Sequence, residues 1–423
     1  MTSAVQSLRD AAWQMYEQAG LPTLRSEDWK YTDLAKMKAA LGEEWWKPAE
    51  IDSASLIDLA EMERLAIPTL DAYRLLFVDG RFHESLSHKP AGIEILPLAE
   101  AIRENADLAG ELLRVDETSP TYTGLVAANS ALAADGACVR IKAGIVLDKP
   151  LLIQHVAGRP GAAHICHGLW LGERSEAHVI EHYCGVGETA RLTHAVTRVY
   201  LEAAAVLRHD RLQMEQPHHY HLGRLEVTQQ RDSSFESHSI ALGAALSRVD
   251  LSVLLAGQGA SCRLNGLYLI GGRQHADHHT RIEHAAPYCT SREHYRGVID
   301  ERAHGVFNGK VIVNKGAIKT DSAQSNANLL LSKFAEVDAK PELTIDNDDV
   351  KAAHGCTVGQ LDKRQLFYLK SRGLSEVDAR QVLTFAFADE VLASLKLPAV
   401  RRFVERAAFA RLPHSDGLEE MLA

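Results

Sequence analysis

Between residues 135 and 360 the chain breaks into short apolar runs separated by Gly, Asn, Asp or Ser at intervals of roughly 9–12 residues. In SRVDLSVLLAGQG, Val249, Leu251, Val253 and Leu255 alternate with Asp250 and Ser252. Val311 with Val313, and Leu343 with Ile345, repeat that period of two, which is the period of a strand with one buried face. The run Leu192–Leu201 carries side chains that can be buried on both faces. A mainly β body of about 220 residues follows. Pattern alone leaves sandwich, barrel and solenoid open, and no exact repeat of about 20–50 residues is visible.

Both flanks read helical. Val5, Leu8, Ala12, Met15 and Ala19 recur at helical steps, and Gly20 and Pro22 end the pattern. LRSEDWKYTDL follows, with Trp29 and Tyr31 after a charged run. Residues 45–115 mix helix-like pieces with one strand, Leu75–Val78, closed by a turn at Asp79–Gly80. Beyond 361, Gly373 marks the end of one helix. Ser375 with Asp378 reads as a capping box, with Asp in place of Glu, opening the next. Ala379, Val382, Leu383, Ala386 and Phe387 supply that helix with one apolar face. The expected domains are 1–134, helical; 135–360, β; and 361–423, helical. No low-complexity linker parts them, so they should pack together.

Several classes fall away. The 423 residues carry 46 basic and 56 acidic side chains, a net charge of −10, which suits no non-specific nucleic-acid binder. The start, MTSAVQSLRDAAWQ, lacks the basic and apolar regions of a secretory signal. No apolar stretch of about 20 residues suggests a membrane-spanning helix. Six cysteines without a CxxC pair suit the reducing cytoplasm, as small buried fillers.

Histidine is the strongest bias: 17 of 21 lie between His155 and His304. In QHADHHT, a strand would place His275, Asp277 and His279 on one face and His278 on the other. These are ligand types for zinc or iron, so a metal-dependent enzyme built on the three is one reading. A polar solvated face is the plainer one. His218, His219 and His221 read as exposed polar strand ends. Gly185, Gly187 and Ala190 form a GxGxxA string, but a β-branched run follows instead of a helix, so a turn is expected there. The GxxxxGK[ST], GxSxG and HExxH signatures are absent. DNDDVKAAHGCTVG reads as an acidic turn entering a last strand. His354 and Cys356, two apart, would there point the same way, towards one metal or one partner surface. A generic solenoid binding module is a third functional reading.

Long strings in the chain resemble the SufB/SufD family of iron–sulfur cluster assembly proteins. They are RSEDWKYTDL, RQHADHHTRIEH, FNGKVIVNKGAIKTDSAQSNANLLLS, AEVDAKPELTIDNDDVKAAHG and FYLKSRGLS, in family order. The length, without a large insertion, resembles the SufD branch. The resemblance implies a right-handed parallel β-helix core flanked by N- and C-terminal helical domains. It implies a non-catalytic, cytoplasmic scaffold that pairs with a SufB-like subunit and binds a SufC-like ABC ATPase through its C-terminal helices. The nascent iron–sulfur cluster would be transient and shared with SufB, with no cofactor held tightly by the isolated chain and no nucleic-acid or membrane partner. Whether the isolated chain forms a homodimer stays open. Ala352 stands where family members carry a Cys, while His354 matches the family's His, the expected cluster ligand at the SufB interface. Cys356 is a candidate substitute thiol. Tyr368, Arg372 and Gly373 mark the start of the ATPase-facing region, Leu366–Leu392. The resemblance carries no ligand role for His275–His279 and places that string on solenoid turns.

Overall fold

The structure is a computed structural model that describes residues 3–48, 63–116 and 123–412. Of the expected C-terminal region 361–423, residues beyond 412 lie outside the described part, as does 49–62 in the N-terminal region.

From Ala137–Ile141 onward, consecutive strands alternate between a nine-stranded and a ten-stranded sheet, so each turn of chain lays one strand on each. Neighbours within a sheet are one turn apart and pair in parallel, in register. The result is a β-solenoid of about eight turns with helices at both ends of the chain. The strand Tyr73–Val78 also joins it, in parallel with Leu151–Ala157.

Turn length varies from 26 residues, Tyr220 to Leu246, to 32, His304 to Glu336. What repeats is the backbone at the corners. Arg174, Ala204, Asp232, Gly259, Tyr288 and Lys319 all have positive φ, one per turn, and each N–H bonds to a carbonyl of the next turn's corner. A left-handed residue lets the chain change sheet within few residues. GxGxxA is such a loop: it joins strands Glu176–Gly185 and Arg191–Leu201 and starts no helix.

Alternation decides what is buried where. Leu251, Val253 and Leu255 point between the sheets with Ile282, Val311 and Val313, as the period of two requires. The outer faces are covered by helices. Trp29, Met37 and Trp45 pack on Leu192, Leu222 and Leu246 of the nine-stranded sheet. Val391, Leu392, Val400 and Val404 pack on Ile180, Leu212, Ile240 and Leu267 of the ten-stranded sheet. Strands covered on both sides need apolar residues on both faces, which is why Arg191–Leu201 is buried almost throughout. The helix Glu376–Leu392 opens as expected: Ser375 Oγ accepts from Asp378 N at 3.1 Å and donates to Asp378 Oδ2 at 2.7 Å. Among the described residues no helix is long and apolar enough to cross a membrane.

Two expectations about the histidines are corrected. His275–His284 is a full strand of the nine-stranded sheet, not a turn, because its backbone pairs on both sides. His219 and His221 are buried, at 1% and 0% exposure, not exposed strand ends. His221 lies inside the solenoid, where Glu215 Oε2 sits 2.7 Å from its Nδ1. His155 shares that interior, stacked between Phe77 and Tyr183. Much of the histidine bias is thus the polar filling of a solenoid.

Candidate functional site

The last strand, Lys351–Gly359, is the outer edge of the ten-stranded sheet, and Glu336–Ile345 is the edge of the nine-stranded one. Both turn unpaired N–H and C=O groups outward. Residues of the last strand are largely exposed, and Val358 and Ile345 stand 51% and 41% exposed. Nothing among the described residues covers this end.

The register places His354 on a continuous inward column. It pairs with Gln324, which pairs with Glu293 two turns back. Cys356 likewise follows Asn326 and Tyr295, and Ala352 follows Ser322 and Ser291. Ser322, Gln324 and Asn326 are all buried. His354, Cys356 and Ala352 therefore end the solenoid's inner wall and, as the last members of their columns, open onto its free end.

Behind them the interior is polar. Gln324 Nε2 donates to Glu293 Oε2 at 2.6 Å, and burial pushes the Glu293 carboxyl up to about 7. Asn328 Nδ2 donates to Asn326 Oδ1 at 2.6 Å, and the Tyr268 hydroxyl donates to Asn328 Oδ1. Cys356 Sγ lies 3.5 Å from Asn326 Oδ1, and burial raises its thiol pKa, so it is held as thiol and not thiolate. Ala352 brings no donor atom. Glu293, Gln324 and Asn326 escape a reading of the sequence because they stand 61, 30 and 30 residues before the strand positions they back. Only the register unites them.

His275, Asp277 and His279 do share the outer face, with His278 inside against Tyr268. There they form a latch. Arg248 Nη1 donates to Asp277 Oδ2 at 2.7 Å, and Thr32 Oγ1 donates to the same oxygen. With its one proton so used, Thr32 accepts from His275 Nε2 at 2.8 Å. His279 Nε2 lies 3.0 Å from Asp277 Oδ1 and 3.2 Å from Arg248 Nη1, so it is held within the same cluster. The neighbouring charges hold Asp277 well below the usual carboxylate range, although burial alone would raise it. Arg248 lies 3.7 Å from the centre of the Trp29 ring and donates to the Asp28 carbonyl at 2.7 Å. The N-terminal EDWKYTDL segment is thus pinned to the His-rich strand. Among the described residues no three His, Cys, Asp or Glu side chains gather as a metal-holding set.

The helix Lys363–Ser371 buries none of its residues, and Phe367 and Tyr368 are 76% and 56% exposed. The Arg372 guanidinium lies over the Tyr368 ring, and Gly373, at φ +97°, turns the chain into Glu376–Leu392. Tyr368, Arg372 and Gly373 thus sit at a helix boundary where aromatic surface is left open.

Two family descriptions match the chain: "SufBD protein N-terminal region" over residues 1–153, and "SUF system FeS cluster assembly, SufBD core domain" over 158–387. The "Iron-sulfur cluster assembly protein SufD" of Escherichia coli K12 is 34% identical, over 95% of this chain and 91% of its own length. A Synechocystis protein named as an iron–sulfur cluster assembly SufBD family protein is 29% identical, over 93% and 88%. The SufD of Bacillus subtilis is 26% identical over 82% of each chain.

Proposed function

Because the chain belongs to the SufBD family of iron–sulfur cluster assembly proteins, we propose that it is a non-catalytic, cytoplasmic scaffold subunit of SufD type. Its open solenoid end pairs with a SufB-like subunit, and its exposed helix Lys363–Ser371 takes a SufC-like ABC ATPase. The nascent cluster is cargo at the first of these surfaces, shared with the partner and passed on. The observation that carries this reading is the free last turn, where two strand edges and the end of the inner wall, with His354 on it, face outward together.

A strand edge pairs with another strand through backbone hydrogen bonds. A partner docked end to end would close both sheets and bring its own side chains to His354. A neutral imidazole is a terminal ligand for iron. Since the described residues gather no ligand set of their own, the partner supplies the remaining ligands, thiolates foremost. Cys356, beside His354, is the one thiol of this chain at that end, while Ala352 carries none.

The test is co-purification of the tagged chain with a SufB-type and a SufC-type protein of the same source, followed by anaerobic cluster reconstitution read by visible absorption. A ternary complex that survives His354→Ala but loses cluster yield supports both the scaffold and the ligand role. An intact complex with unchanged yield makes His354 an interface residue only. Failure of any complex to form overturns the proposal.

A further inference from the structure

Three strings quoted above, EDWKYTDL, QHADHHTR and FNGK, take no part in the end of the solenoid, yet they meet at one cavity. It lies on the outer face of the nine-stranded sheet, holds about 170 Å³, and is walled by Asp28, Trp29 and Thr123. Its floor is set by register. Arg224, Asp250, His279 and Asn308 stand side by side on four adjacent strands. Two residues further along, Ser252, Arg281 and Lys310 form the next row. Adjacent parallel strands lie about 4.8 Å apart, so each row gathers its side chains within reach of one small ligand.

Four cations line this cavity, each beside a carboxylate. Arg224, Arg248, Arg281 and Lys310 line it against the carboxylates of Asp28 and Asp250, and Arg248 takes both oxygens of Asp250 at 2.8 and 3.1 Å. The other cations keep donors in hand. Among the described residues Arg224 donates through Nε to Glu226, and Arg281 through Nη2 to Glu283, leaving their other donors towards the cavity. Lys310 Nζ is 3.9 Å from Glu342, beyond hydrogen-bond reach. Asn308, 6% exposed, makes no side-chain hydrogen bond among the described residues. Its amide is not sealed in the protein but opens onto the cavity, where it can donate to a ligand.

We propose that this cavity binds a compact oxyanion carrying two or more ionised oxygens, a phosphate or a small polycarboxylate. Arg281 and Lys310 supply charge from one row, Arg224 flanks it, and the Asn308 amide donates from the floor. The volume is below the roughly 300–1,000 Å³ of pockets that enclose drug-sized ligands, so a whole nucleotide does not fit.

The test is calorimetric titration of the full chain with inorganic phosphate, pyrophosphate and citrate, at low ionic strength and at about 0.15 M salt. Saturable binding of at least one of them with one-to-one stoichiometry is expected, and it should persist at the higher salt. Binding of the phosphates alone, or of citrate alone, assigns the source of the anion. Arg281→Ala with Lys310→Ala should weaken that binding at least about tenfold, and Asn308→Asp should abolish it. The single Lys310→Ala, at a side chain 42% exposed, serves if the double variant melts early. Absence of saturable binding for all three anions, or affinity unchanged in folded Lys310→Ala and Arg281→Ala proteins, overturns the proposal.

Discussion

Glu293 sits in the solenoid interior facing an amide, Gln324, and not a cation. Burial raises its pKa to about 7 against an ordinary 4.5, so the folded protein favours the protonated form. The sign follows. Below pH 4.5 the acid is protonated folded or unfolded, and its contribution to stability is complete. As pH rises through 7 that contribution is lost, by about 3 kcal/mol for a shift of this size. Glu293→Gln keeps the shape and removes the ionisation. At pH 8 the variant should be about 2–3 kcal/mol more stable than wild type in urea unfolding, and equal to it near pH 4. Equal stability at pH 8 would mean that the carboxyl is solvated in the native state. His354, at the exposed end of the same column, should behave differently: His354→Ala should leave the melting temperature of the isolated chain within about 2 °C, since it removes no buried contact.

At the scale of elements, the helix Lys363–Ser371 and the latch over strand His275–His284 lead to opposite expectations. The helix holds its aromatic surface outward, so Phe367→Ser with Tyr368→Ser should leave the fold intact. It should weaken capture of the ATPase partner at least about tenfold, since each ring is worth about 1.5–3 kcal/mol when buried in a complex. Unchanged affinity in a pull-down titration would move the ATPase surface elsewhere. The latch is internal. Asp277→Ala removes one of the two carboxylates paired with the fully buried Arg248, which keeps Asp250, and should cost about 1–3 kcal/mol in urea unfolding while exposing residues 3–48 to protease. These elements also show what the sequence makes legible. Strand periodicity, the Ser375 cap and the shared face of His275, Asp277 and His279 are local signals, read within ten residues. The solenoid repeat is not local. Its corners are occupied by Arg174, Ala204, Asp232, Gly259, Tyr288 and Lys319, which share a left-handed backbone and no side-chain chemistry. With turns of 26 to 32 residues as well, no letter pattern recurs, and the resemblance to a family carries what periodicity cannot. The same lack of a repeat hides the Glu293–Gln324–His354 column and the floor of the anion cavity, because both are cross-turn alignments. The exposure assigned to His219 and His221 fails for a related reason: residues near a strand end are buried when neighbouring turns close over them, while His218 beside them stays accessible.

For the whole molecule, a core built with so many neutral imidazoles ties folding to pH. His164 and His182 are fully buried with pKa values lowered to about 4, and His278 to about 3, desolvation being the cause in each. A histidine depressed in the folded state stabilises fully above its unfolded value of 6.5, and that stability is lost as pH falls. Between about pH 5 and 6, unfolding thus takes up close to three protons at these rings, while Glu293 gives back close to one. These four groups alone give a net uptake of about two protons and make unfolding free energy fall by about 2–3 kcal/mol per pH unit across this window. The other depressed histidines, His219, His275 and His284 among them, act in the same direction. Against a total of about 5–15 kcal/mol, a loss on this scale should unfold the chain at mildly acid pH. Urea titrations at pH 6.0, 5.5 and 5.0 check the slope, and Glu293→Gln should steepen it by about 1 kcal/mol per unit, because the opposing proton is gone. A flat profile would mean that the rings exchange protons with solvent while folded. The interior of the solenoid would then be wet, and the polar column that runs out to His354 would be an open channel instead of a packed wall.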